Sequence, residues 1–517
     1  MNIAENILYT TTLDQLLDGL TELPRDLPSA FSVRVSGVQL DSRLVKPGDL
    51  FFACFGKNHD ARDYIDAAIE RGAVAVLAHA GGPWQGVSVR QGVVVVAIAD
   101  LSARTGEIVS RFFDEPSAAM TMFGVTGTNG KTSCTQFIAQ VLNSMKRHCG
   151  VIGTLGIGIP PELSESSYTT PDPVQVHSAL ADMRFSGADS VAMEVSSQGL
   201  HQHRVNGVKF DIAVFTNLTR DHLDYHGSME EYADTKRKLF MFESLSSAVV
   251  NIDDPFASQL LNALAPHVKS YTYSVGNSQA DVYALKLERN REGFKARVHT
   301  PFGDGDLQGS LLGTFNFSNL MAVLTSLLAS ESSRTDFDID VLFDHLARVS
   351  AVSGRMEMIG DESADVTVVV DYAHTPDALR VALQALREHF TGRIWCVFGC
   401  GGNRDQGKRP LMAEMAEQFA DILVVTDDNP RKEDADEIVR QIVLGVDDKS
   451  KLTVQRDRAQ AIEFAISNAG VGDVVLLAGK GHENYQDVNG QKMVFSDVKQ
   501  ARLALARRLN STHTGHR

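Results

Sequence analysis

The chain has 517 residues, which is too long for one ordinary hydrophobic core, so we expect about three domains. Its net charge of −16, from 49 basic and 65 acidic residues, argues against a nucleic-acid-binding surface. Its five cysteines form no CxxC pair, which argues against a disulfide framework or a structural zinc site and fits a reducing cytoplasm.

The first predicted domain, residues 1–115, begins without the basic and apolar regions of a signal peptide. No apolar run in the chain approaches the roughly 20 residues that span a bilayer, so we expect a cytoplasmic protein without membrane insertion. Leu50–Cys54, Val74–Leu77 and Val93–Ile98 have the pattern of short buried strands, and Tyr64–Arg71 that of a helix. This alternation predicts an α/β domain.

A glycine loop opens the second predicted domain, residues 116–350. Met120–Val125 has the pattern of a buried strand, and apolar residues recur at helical spacing from Phe137 onwards. Strand, glycine loop and helix are typical of a phosphate-binding loop, although Val125 stands where a standard Walker loop has glycine. Lys131 is predicted to reach the terminal phosphates and Thr132 to hold Mg²⁺. The residues predicted to bind ATP here are Gly127, Thr128, Asn129, Gly130, Lys131, Thr132 and Ser133.

Oxygen-bearing side chains follow two further predicted strands of this domain. Glu194 ends the strand that begins at Ser190, and Asn217–Gly227, which contains His222, follows the strand Ile212–Phe215. Taken alone, Glu194 could equally cap a helix, and the second segment could be a polar turn. A phosphate loop on the same sheet favours Mg²⁺ ligation, because a transferring phosphoryl group needs its developing charge neutralised.

The third predicted domain, residues 351–517, again alternates strands and helices, which predicts a mainly parallel, doubly wound sheet with ligands beyond the strand carboxyl ends. The predicted strands are Val366–Val370, Ile394–Phe398, Ile422–Thr426 and Val474–Leu477, and one helix places Leu379, Leu383, Leu386 and Phe390 on a single face. Polar motifs follow these strands at Asp371–His374, Gly399–Arg404, Asp427–Arg431 and Gly479–Glu483. We therefore expect an α/β protein of three domains, each on a mainly parallel or mixed sheet with flanking helices. The central domain should be like a P-loop ATPase and the last Rossmann-like.

These motifs, in this order, resemble the Mur ligase family, the ATP-dependent enzymes that extend the peptide of the bacterial cell-wall precursor. The resemblance spans nearly the whole chain. Three further matching stretches are Gly313–Asn319, Ser353–Glu357 and Asp371–Pro376. It implies that Asn316, Arg355 and Asp371 hold ATP from the far side of an interdomain cleft. Without it, Asn316 and Arg355 would more often be ordinary surface residues.

The same resemblance makes Lys236 the lysine that CO₂ carbamylates to N6-carboxylysine. A bare ammonium repels Mg²⁺, whereas a carbamate is an oxygen ligand. Without the resemblance, a solvated helical lysine beside Arg237 and Lys238 would be the better interpretation. The implied catalytic residues are Lys131, Glu194, His222 and Lys236, and the implied metal ligands are Thr132, Glu194, His222 and the Lys236 carbamate.

The first domain resembles the branch of the family that forms the UDP-sugar tripeptide. The residues implied to bind the UDP-sugar-peptide are Leu40, Ser42, Lys57, Asn58 and His59, together with Tyr168, Thr169, Thr170, Ser196, Gln202 and Arg204 in the central domain. Tyr168 departs from the family pattern, which favours a polar Asn at this position.

The segment Asp428–Arg431 resembles the signature of members that add meso-diaminopimelate rather than lysine. Diaminopimelate has a distal carboxylate that lysine lacks, and a guanidinium can bind it bidentately. In an unfamiliar chain the segment would as often be a proline turn with an exposed arginine. The residues implied to bind diaminopimelate are Arg404, Asp428, Asn429, Pro430, Arg431, Gly479 and Glu483, with Glu483 facing the distal ammonium.

The resemblance implies a monomeric, Mg²⁺- and ATP-dependent ligase. It would join meso-diaminopimelate to the D-glutamate of UDP-N-acetylmuramoyl-L-alanyl-D-glutamate through an acyl phosphate. Three alternatives stay open: a lysine-adding member, a folylpolyglutamate synthase that shares the central fold, and a nucleotide-dependent binding switch without ligation. The diphosphate-binding first domain counts against the folate enzyme.

Overall fold

The computed structural model describes residues 9–21, 31–56, 59–331, 337–360 and 364–514. The chain forms two compact units. The first comprises the residues up to Tyr273 and Ala322–Phe337, and the second comprises Ser274–Met321 and the residues from Asp338 onwards. The domain boundaries 1–115, 116–350 and 351–517 stay predictions.

The N-terminal part of the first unit is a five-stranded sheet with flanking helices. Its strands lie in the spatial order Gly37–Gln39, Asp49–Ala53, Ala75–His79, Val93–Ile98 and Val87–Arg90, and all but the last pair in parallel. Its helices are Leu13–Leu17, Ile65–Glu70 and Leu101–Phe112, and Thr11–Thr12 pairs with Arg34–Val35. The predicted α/β pattern is confirmed.

A larger sheet follows in the same unit. Its spatial order is Glu162–Ser164, Gly156–Ile159, Cys149–Gly153, Ser190–Glu194, Thr121–Thr126, Ile212–Phe215, Ser247–Asn251 and Lys269–Ser274. The first two strands are antiparallel additions, and the others are parallel. The helices beside this sheet are Lys131–Ser144, Pro173–Phe185, Ser197–His201, Leu223–His226, Met229–Arg237 and Ala257–Asn262. Since Thr121–Thr126 lies between Ser190–Glu194 and Ile212–Phe215, the carboxyl ends of these three strands meet at one edge.

The second unit contains the antiparallel strands Val282–Asn290, Gly293–Thr300 and Gly303–Gly309 and a six-stranded sheet. The order in that sheet is Glu357–Ile359, Thr367–Asp371, Val474–Ala478, Ile394–Phe398, Ile422–Val425 and Leu452–Val454, parallel except for the first. The helices are Ile339–Leu346, Pro376–His389, Lys408–Phe419, Ala435–Val443, Arg458–Asn468 and Asp497–Thr514, and a hairpin joins Tyr485–Val488 to Gln491–Val494. Helix Thr314–Glu331 is divided between the units at Met321.

The predicted elements match the observed ones to within a residue or two. The strand predicted at Val74–Leu77 is observed at Ala75–His79. The helix predicted at Tyr64–Arg71 is α-helical only over Ile65–Glu70. A 3₁₀ turn, Ala61–Tyr64, precedes it because the Asp60 carboxylate accepts a hydrogen bond of 3.1 Å from the Arg62 N–H. In the part of the chain that the structure describes, no helix has both the length and the apolar composition to cross a membrane.

Candidate active site

The glycine loop lies at the carboxyl edge of the larger sheet, between Thr121–Thr126 and Lys131–Ser144. Gly127 and Gly130 have φ angles of +153° and +89°, which disfavour other residues. A Cβ atom on Gly127 would lie 1.9 Å from Thr216 Oγ1. The loop therefore packs directly on the end of the neighbouring strand, which leaves no room for a side chain.

Hydrogen bonds from that neighbouring strand end fix the shape of the loop. The N–H groups of Thr128 and Asn129 donate to Asn217 O and Asn217 Oδ1, both at 2.9 Å. The Thr216 hydroxyl donates to Asn129 O at 2.6 Å. Sequence analysis missed Thr216, whose hydroxyl lies immediately before the polar segment that it did identify.

Lys131 is held over the loop. Its Nζ donates to Gly127 O at 2.8 Å and to Thr128 O at 2.9 Å. The ammonium of Lys131 therefore lies at the loop that is predicted to surround phosphate oxygens.

Glu194 joins the loop to the adjacent strand. Its side chain is buried, with 1% of the residue exposed. Oε2 accepts a hydrogen bond of 2.8 Å from Thr132 Oγ1, and Oε1 accepts one of 2.7 Å from the Thr154 N–H. The next helix is capped by Ser196, whose Oγ accepts from the Gly199 N–H at 3.0 Å. Helix capping by Glu194 is therefore excluded.

Lys236 is a buried lysine, with 1% of the residue exposed, so a solvated side chain is excluded. Its Nζ donates to Gly127 O at 2.7 Å and lies 4.5 Å from the centre of the Tyr232 ring. Burial lowers the pKa of Lys236 well below its usual range, and the nearby positive charge of Lys131 lowers it further. Both effects favour the neutral amine over the ammonium.

Tyr232 connects several predicted residues and was missed in the sequence. Its hydroxyl lies 3.2 Å from Thr128 Oγ1, and its ring lies under Lys236. Burial raises its pKa to about 12, so the phenol stays protonated. The sequence did contain a signal for this contact. Tyr232 and Lys236 are four residues apart on helix Met229–Arg237, a spacing that places two side chains on the same face of a helix.

His222 is less closely attached to this cluster. It has a φ angle of +53°, and its side chain is 47% exposed. Its ring centre lies 6.3 Å from that of Tyr232. Within the described ranges, it makes no hydrogen bond to Thr132, Glu194 or Lys236. The structure therefore places Thr132 with Glu194, and Lys236 at Gly127, but not His222 in direct contact with either.

A divalent cation at this edge would need oxygen ligands. The Thr132 hydroxyl and the Glu194 carboxylate are adjacent and supply two kinds of them. Among the described residues, no group of three or more His, Cys, Asp and Glu side chains could hold a metal. The donor set fits Mg²⁺ only if phosphate oxygens or a modified lysine complete it.

The residues predicted to hold the sugar-peptide in the larger sheet form one connected cluster. The Arg204 guanidinium donates to Thr170 O at 2.7 Å and to Gln202 Oε1 at 2.7 and 3.0 Å. Its Cζ lies 4.6 Å from the centre of the Tyr168 ring. Thr170 Oγ1 in turn donates to Glu194 O at 2.9 Å. The cluster is thus tied to the strand that ends at Glu194.

Two further members attach at the same place. The Ser196 N–H donates to Thr170 Oγ1 at 3.0 Å, and the hydroxyls of Thr169 and Thr154 lie 3.0 Å apart. All six predicted residues of this part of the chain therefore lie together.

The predicted contacts in the N-terminal sheet lie on turns after its strands. Leu40 follows Gly37–Gln39, and Ser42 begins a 3₁₀ turn capped by Asp41, whose carboxylate accepts from the Arg43 N–H at 2.9 Å. His59 O accepts from the Gly56 N–H at 3.0 Å. Lys57 and Asn58 lie outside the described residues.

In the second unit, Asp371 ends a strand and organises the segment around Arg355. Its carboxylate accepts from the N–H groups of Met356 and Ala373, both at 2.8 Å. Burial raises the pKa of Asp371, while Arg355 and these N–H groups oppose the shift. The Arg355 guanidinium lies 4.6 Å above the Tyr372 ring, and its buried Nε has no hydrogen-bond partner among the described atoms.

Asn316 is also buried in this unit. Its amide donates to Leu312 O at 3.0 Å and accepts from Asn319 at 3.4 Å. Both partners lie in or next to its own helix, so the amide supports the start of that helix.

Two predicted arginines flank a glycine of the second unit. A Cβ atom on Gly401 would lie 2.7 Å from an Arg431 guanidinium nitrogen and 3.8 Å from Arg404 Cγ. Arg431 donates to Gly402 O at 2.8 Å, and the Gly402 N–H donates to Asn429 O at 2.9 Å. The Gly401–Gly402 segment and the Asp428–Arg431 segment are therefore joined directly.

The motif Gly479–Glu483 contacts these two segments at Asn429. The Nδ2 atom of Asn429 donates to Glu483 Oε2 at 2.9 Å. Gly479 has a φ angle of +112°, and a Cβ atom there would lie 3.7 Å from Asp428 Oδ2. Sequence analysis missed Lys480, whose Nζ donates to both Asn429 and Glu483 at 3.0 Å. All three motifs thus form one group at the carboxyl edge of the sheet.

Three family profiles match the chain. They are the Mur ligase family catalytic domain over residues 34–112, the Mur ligase middle domain over 125–327 and the Mur ligase glutamate ligase domain over 354–481.

Individual proteins match over nearly the full length. The UDP-N-acetylmuramoyl-L-alanyl-D-glutamate–2,6-diaminopimelate ligase of Coxiella burnetii is 46% identical over 497 residues, which cover 95% of this chain and 99% of that protein. The enzyme of the same name from Ectopseudomonas mendocina is 46% identical over 483 residues, 93% of this chain and 97% of the relative. A solved structure of a ligase of that name superposes with a TM-score of 0.73 at 36% identity, covering 97% of this chain and 99% of the other.

Proposed function

Because the chain belongs to the Mur ligase family, we propose that it joins meso-diaminopimelate to UDP-N-acetylmuramoyl-L-alanyl-D-glutamate with conversion of ATP to ADP and phosphate. The observation that carries the choice of amino acid is the grouping of Arg404 and Arg431 around Gly401. Two guanidinium groups suit a substrate with carboxylates at both ends. Lysine lacks the distal carboxylate.

The reaction proceeds in two steps. The γ-carboxylate oxygen of D-glutamate attacks the γ-phosphorus of ATP, the bond from that phosphorus to the bridging oxygen breaks, and ADP leaves. The uncharged amine of diaminopimelate then attacks the carbonyl carbon of the acyl phosphate. The tetrahedral intermediate expels phosphate, the nitrogen loses a proton, and the amide forms. No protein nucleophile is needed, so the protein acts by positioning and by electrostatic stabilisation.

The loop Gly127–Ser133 binds the phosphates of ATP chiefly through the start of helix Lys131–Ser144. The N–H groups of Thr128 and Asn129 hold the loop to Asn217 instead. The ammonium of Lys131 moves from the carbonyl oxygens of Gly127 and Thr128 to phosphate oxygens when the nucleotide binds. The family resemblance further implies that Asn316, Arg355 and Asp371 bind the nucleotide.

In this proposal the Thr132 hydroxyl, the Glu194 carboxylate and His222 would hold Mg²⁺. When bound, the ion neutralises charge that develops on the transferring phosphoryl group. Thr132 and Glu194 already lie in hydrogen-bond contact, so they need little rearrangement, whereas His222 must approach them.

Lys236 acts as a carbamate. Its neutral amine attacks the carbon of CO₂, the nitrogen releases a proton, and an anionic N6-carboxylysine forms. Burial supports this step, because it favours the neutral amine over the ammonium. The modification replaces a positive charge beside the phosphate loop with oxygen ligands for the cation.

The remaining predicted residues orient the other substrates. Leu40, Ser42, Lys57, Asn58 and His59 bind the UDP part, and the cluster around Arg204 binds the peptide-bearing sugar. Arg404, Asp428, Asn429, Pro430, Arg431, Gly479 and Glu483 bind diaminopimelate. A monomeric state and a cytoplasmic location belong to the same proposal.

A coupled phosphate-release assay tests the reaction type. Phosphate should be released only when ATP, the UDP-dipeptide and diaminopimelate are all present. Equal ATP hydrolysis without the UDP-dipeptide would indicate a binding switch instead. Activity with a folate and glutamate, but not with the UDP-dipeptide, would indicate a folylpolyglutamate synthase.

A further inference from the structure

One lysine of the amino-acid motifs has no role in the reaction proposed above. Lys480 follows strand Val474–Ala478 and is 0% exposed. Burying an ammonium is costly unless it is paired and fully hydrogen-bonded. Its partners therefore show what this charge holds in place.

The partners of Lys480 come from two of the predicted substrate motifs. Its Nζ donates to Asn429 Oδ1 and to Glu483 Oε2, both at 3.0 Å, and lies 3.4 Å from Asp428 Oδ1. A lysine ammonium has three N–H donors, so these three acceptors use its full capacity. Two of the acceptors are carboxylates, and a neutral donor would not balance their charge.

Further bonds close this arrangement around Glu483. Asn429 Nδ2 donates to the same Oε2 atom at 2.9 Å, and Asn429 Oδ1 also accepts from the Asp487 N–H at 2.9 Å. The amide of Asn429 therefore has one orientation, with its oxygen toward Lys480. Both side-chain bonds reach Oε2 rather than Oε1, which restricts the orientation of the Glu483 carboxylate.

The backbone around Lys480 is shaped to bring this side chain inward. Gly479 and Gly481 have φ angles of +112° and +52°. A Cβ atom on Gly481 would lie 2.8 Å from Gly354 O and 2.8 Å from Tyr372 Cβ. Glycine on both sides thus permits a turn that packs closely and still buries the lysine.

We propose that Lys480 is a positioning residue for the amino-acid substrate, acting through Glu483 and Asn429. Its ammonium holds the Glu483 carboxylate so that Oε1 faces the distal ammonium of diaminopimelate. This inference rests on the proposed function of the site. Lys480 itself contacts no substrate.

The test compares Lys480→Met with Lys492→Met. Lys492 is a matched control, because its exposed ammonium lies 4.2 Å from the centre of the same Tyr485 ring that Lys480 approaches at 5.7 Å. Lys480→Met should raise the KM for diaminopimelate roughly 10- to 100-fold, because the three acceptors lose their shared donor. The KM values for ATP and the UDP-dipeptide should stay within about threefold of wild type, as should all three in Lys492→Met.

A double-mutant cycle separates positioning from a purely structural role. If Lys480 acts through Glu483, adding Lys480→Met to Glu483→Gln should raise the KM for diaminopimelate little further. Independent, multiplying effects, or a loss shared equally by all three substrates, would overturn the proposal. Thermal unfolding shows whether the variant is folded at the assay temperature, and Lys480→Gln replaces it if it is not.

Failure of both Lys480 variants to fold would assign the ammonium to stability and overturn the proposal as well. Ligation of diaminopimelate by the wild-type protein is measured first. Its absence would contradict the proposed function, whereas normal ligation with unaffected variants would contradict only the role of Lys480.

Discussion

The ammonium of Lys236 donates a hydrogen bond of 2.7 Å to the carbonyl oxygen of Gly127, the first glycine of the phosphate loop. Lys131 donates to the same oxygen at 2.8 Å. Two lysine side chains thus converge on one carbonyl at the place where a triphosphate is expected. Removing one positive charge there by carbamylation would relieve the repulsion between them.

Lys236→Ala should therefore be nearly inactive and should partly recover when short-chain carboxylates are added, because these can occupy the vacated ligand position. Lys236→Arg should not recover, since its charge persists and excludes the anion. Lys238→Ala, at the exposed neighbouring end of the helix, is the control. Carbon-13 NMR with labelled bicarbonate should detect a carbamate in wild type. A plain amine at Lys236 in an active, metal-loaded enzyme would contradict the carbamate.

Tyr168 should contribute its ring rather than its hydroxyl. The Arg204 guanidinium lies 4.6 Å from the centre of this ring, and the residue is 56% exposed. Tyr168→Ala should raise the KM for the UDP-dipeptide about 2- to 10-fold, as expected for loss of a partly exposed cation–π contact. Tyr168→Phe should behave as wild type. Steady-state kinetics measure this KM in both variants. An equal rise in Tyr168→Ala and Tyr168→Phe would implicate the hydroxyl.

The stability of the second unit should depend on pH through Glu433. The buried Arg409 guanidinium donates to both oxygens of Glu433, at 2.7 and 2.8 Å, and lowers its pKa to about 2. Since the folded-state pKa is lowered, the stabilisation is complete above the unfolded value of about 4.3 and is lost as the pH falls toward 2. Glu433→Gln should lower the free energy of unfolding by on the order of 2 kcal/mol at pH 7.

The measurement is the midpoint of thermal unfolding between pH 7 and pH 3. The gap between wild type and Glu433→Gln should narrow below about pH 4.5. Glu414→Gln is the control, because Glu414 is an exposed glutamate of the neighbouring helix Lys408–Phe419, and exposed charges add little stability. A gap that stays constant with pH would show that the Glu433 charge is not the cause.

Arg431→Ala should weaken the binding of diaminopimelate far more than the binding of the other substrates. A charge-assisted pair left without its partner costs roughly 2–5 kcal/mol, so we expect the KM for diaminopimelate to rise by about two orders of magnitude or more. The KM for ATP should change little, and lysine should remain a poor substrate because Arg404 stays in place. Lys432→Ala, the exposed neighbour, serves as the control. An unchanged ratio of kcat/KM for diaminopimelate and lysine would place selectivity elsewhere in the third predicted domain.

The fold was predictable because its parallel strands are buried on both faces and therefore appear as continuous apolar runs, such as Val474–Ala478. The glycine loop was equally visible, since local spacing defines it. Contacts between distant segments were not. In the sequence, Lys480 between two glycines looks like a solvated turn lysine, and only the approach of Asn429 and Glu483 explains its burial.

The sequence also left the role of Glu194 open, because two nearby residues could cap the next helix. Glu194 and Ser196 are both acceptable helix caps, and the choice between them depends on Thr132 and Thr154, which lie on other elements. The roles assigned to the site residues stay predictions, because they concern ligands that approach from outside the chain.

A competition experiment tests the central claim most directly. The enzyme is incubated with ATP, the UDP-dipeptide and equal concentrations of meso-diaminopimelate and L-lysine. The products are then separated, and mass spectrometry identifies and quantifies them. We predict that the UDP-tripeptide containing diaminopimelate accumulates in step with released phosphate and that the lysine product is scarce. Comparable incorporation of lysine, or phosphate release without a UDP-tripeptide, would contradict the account.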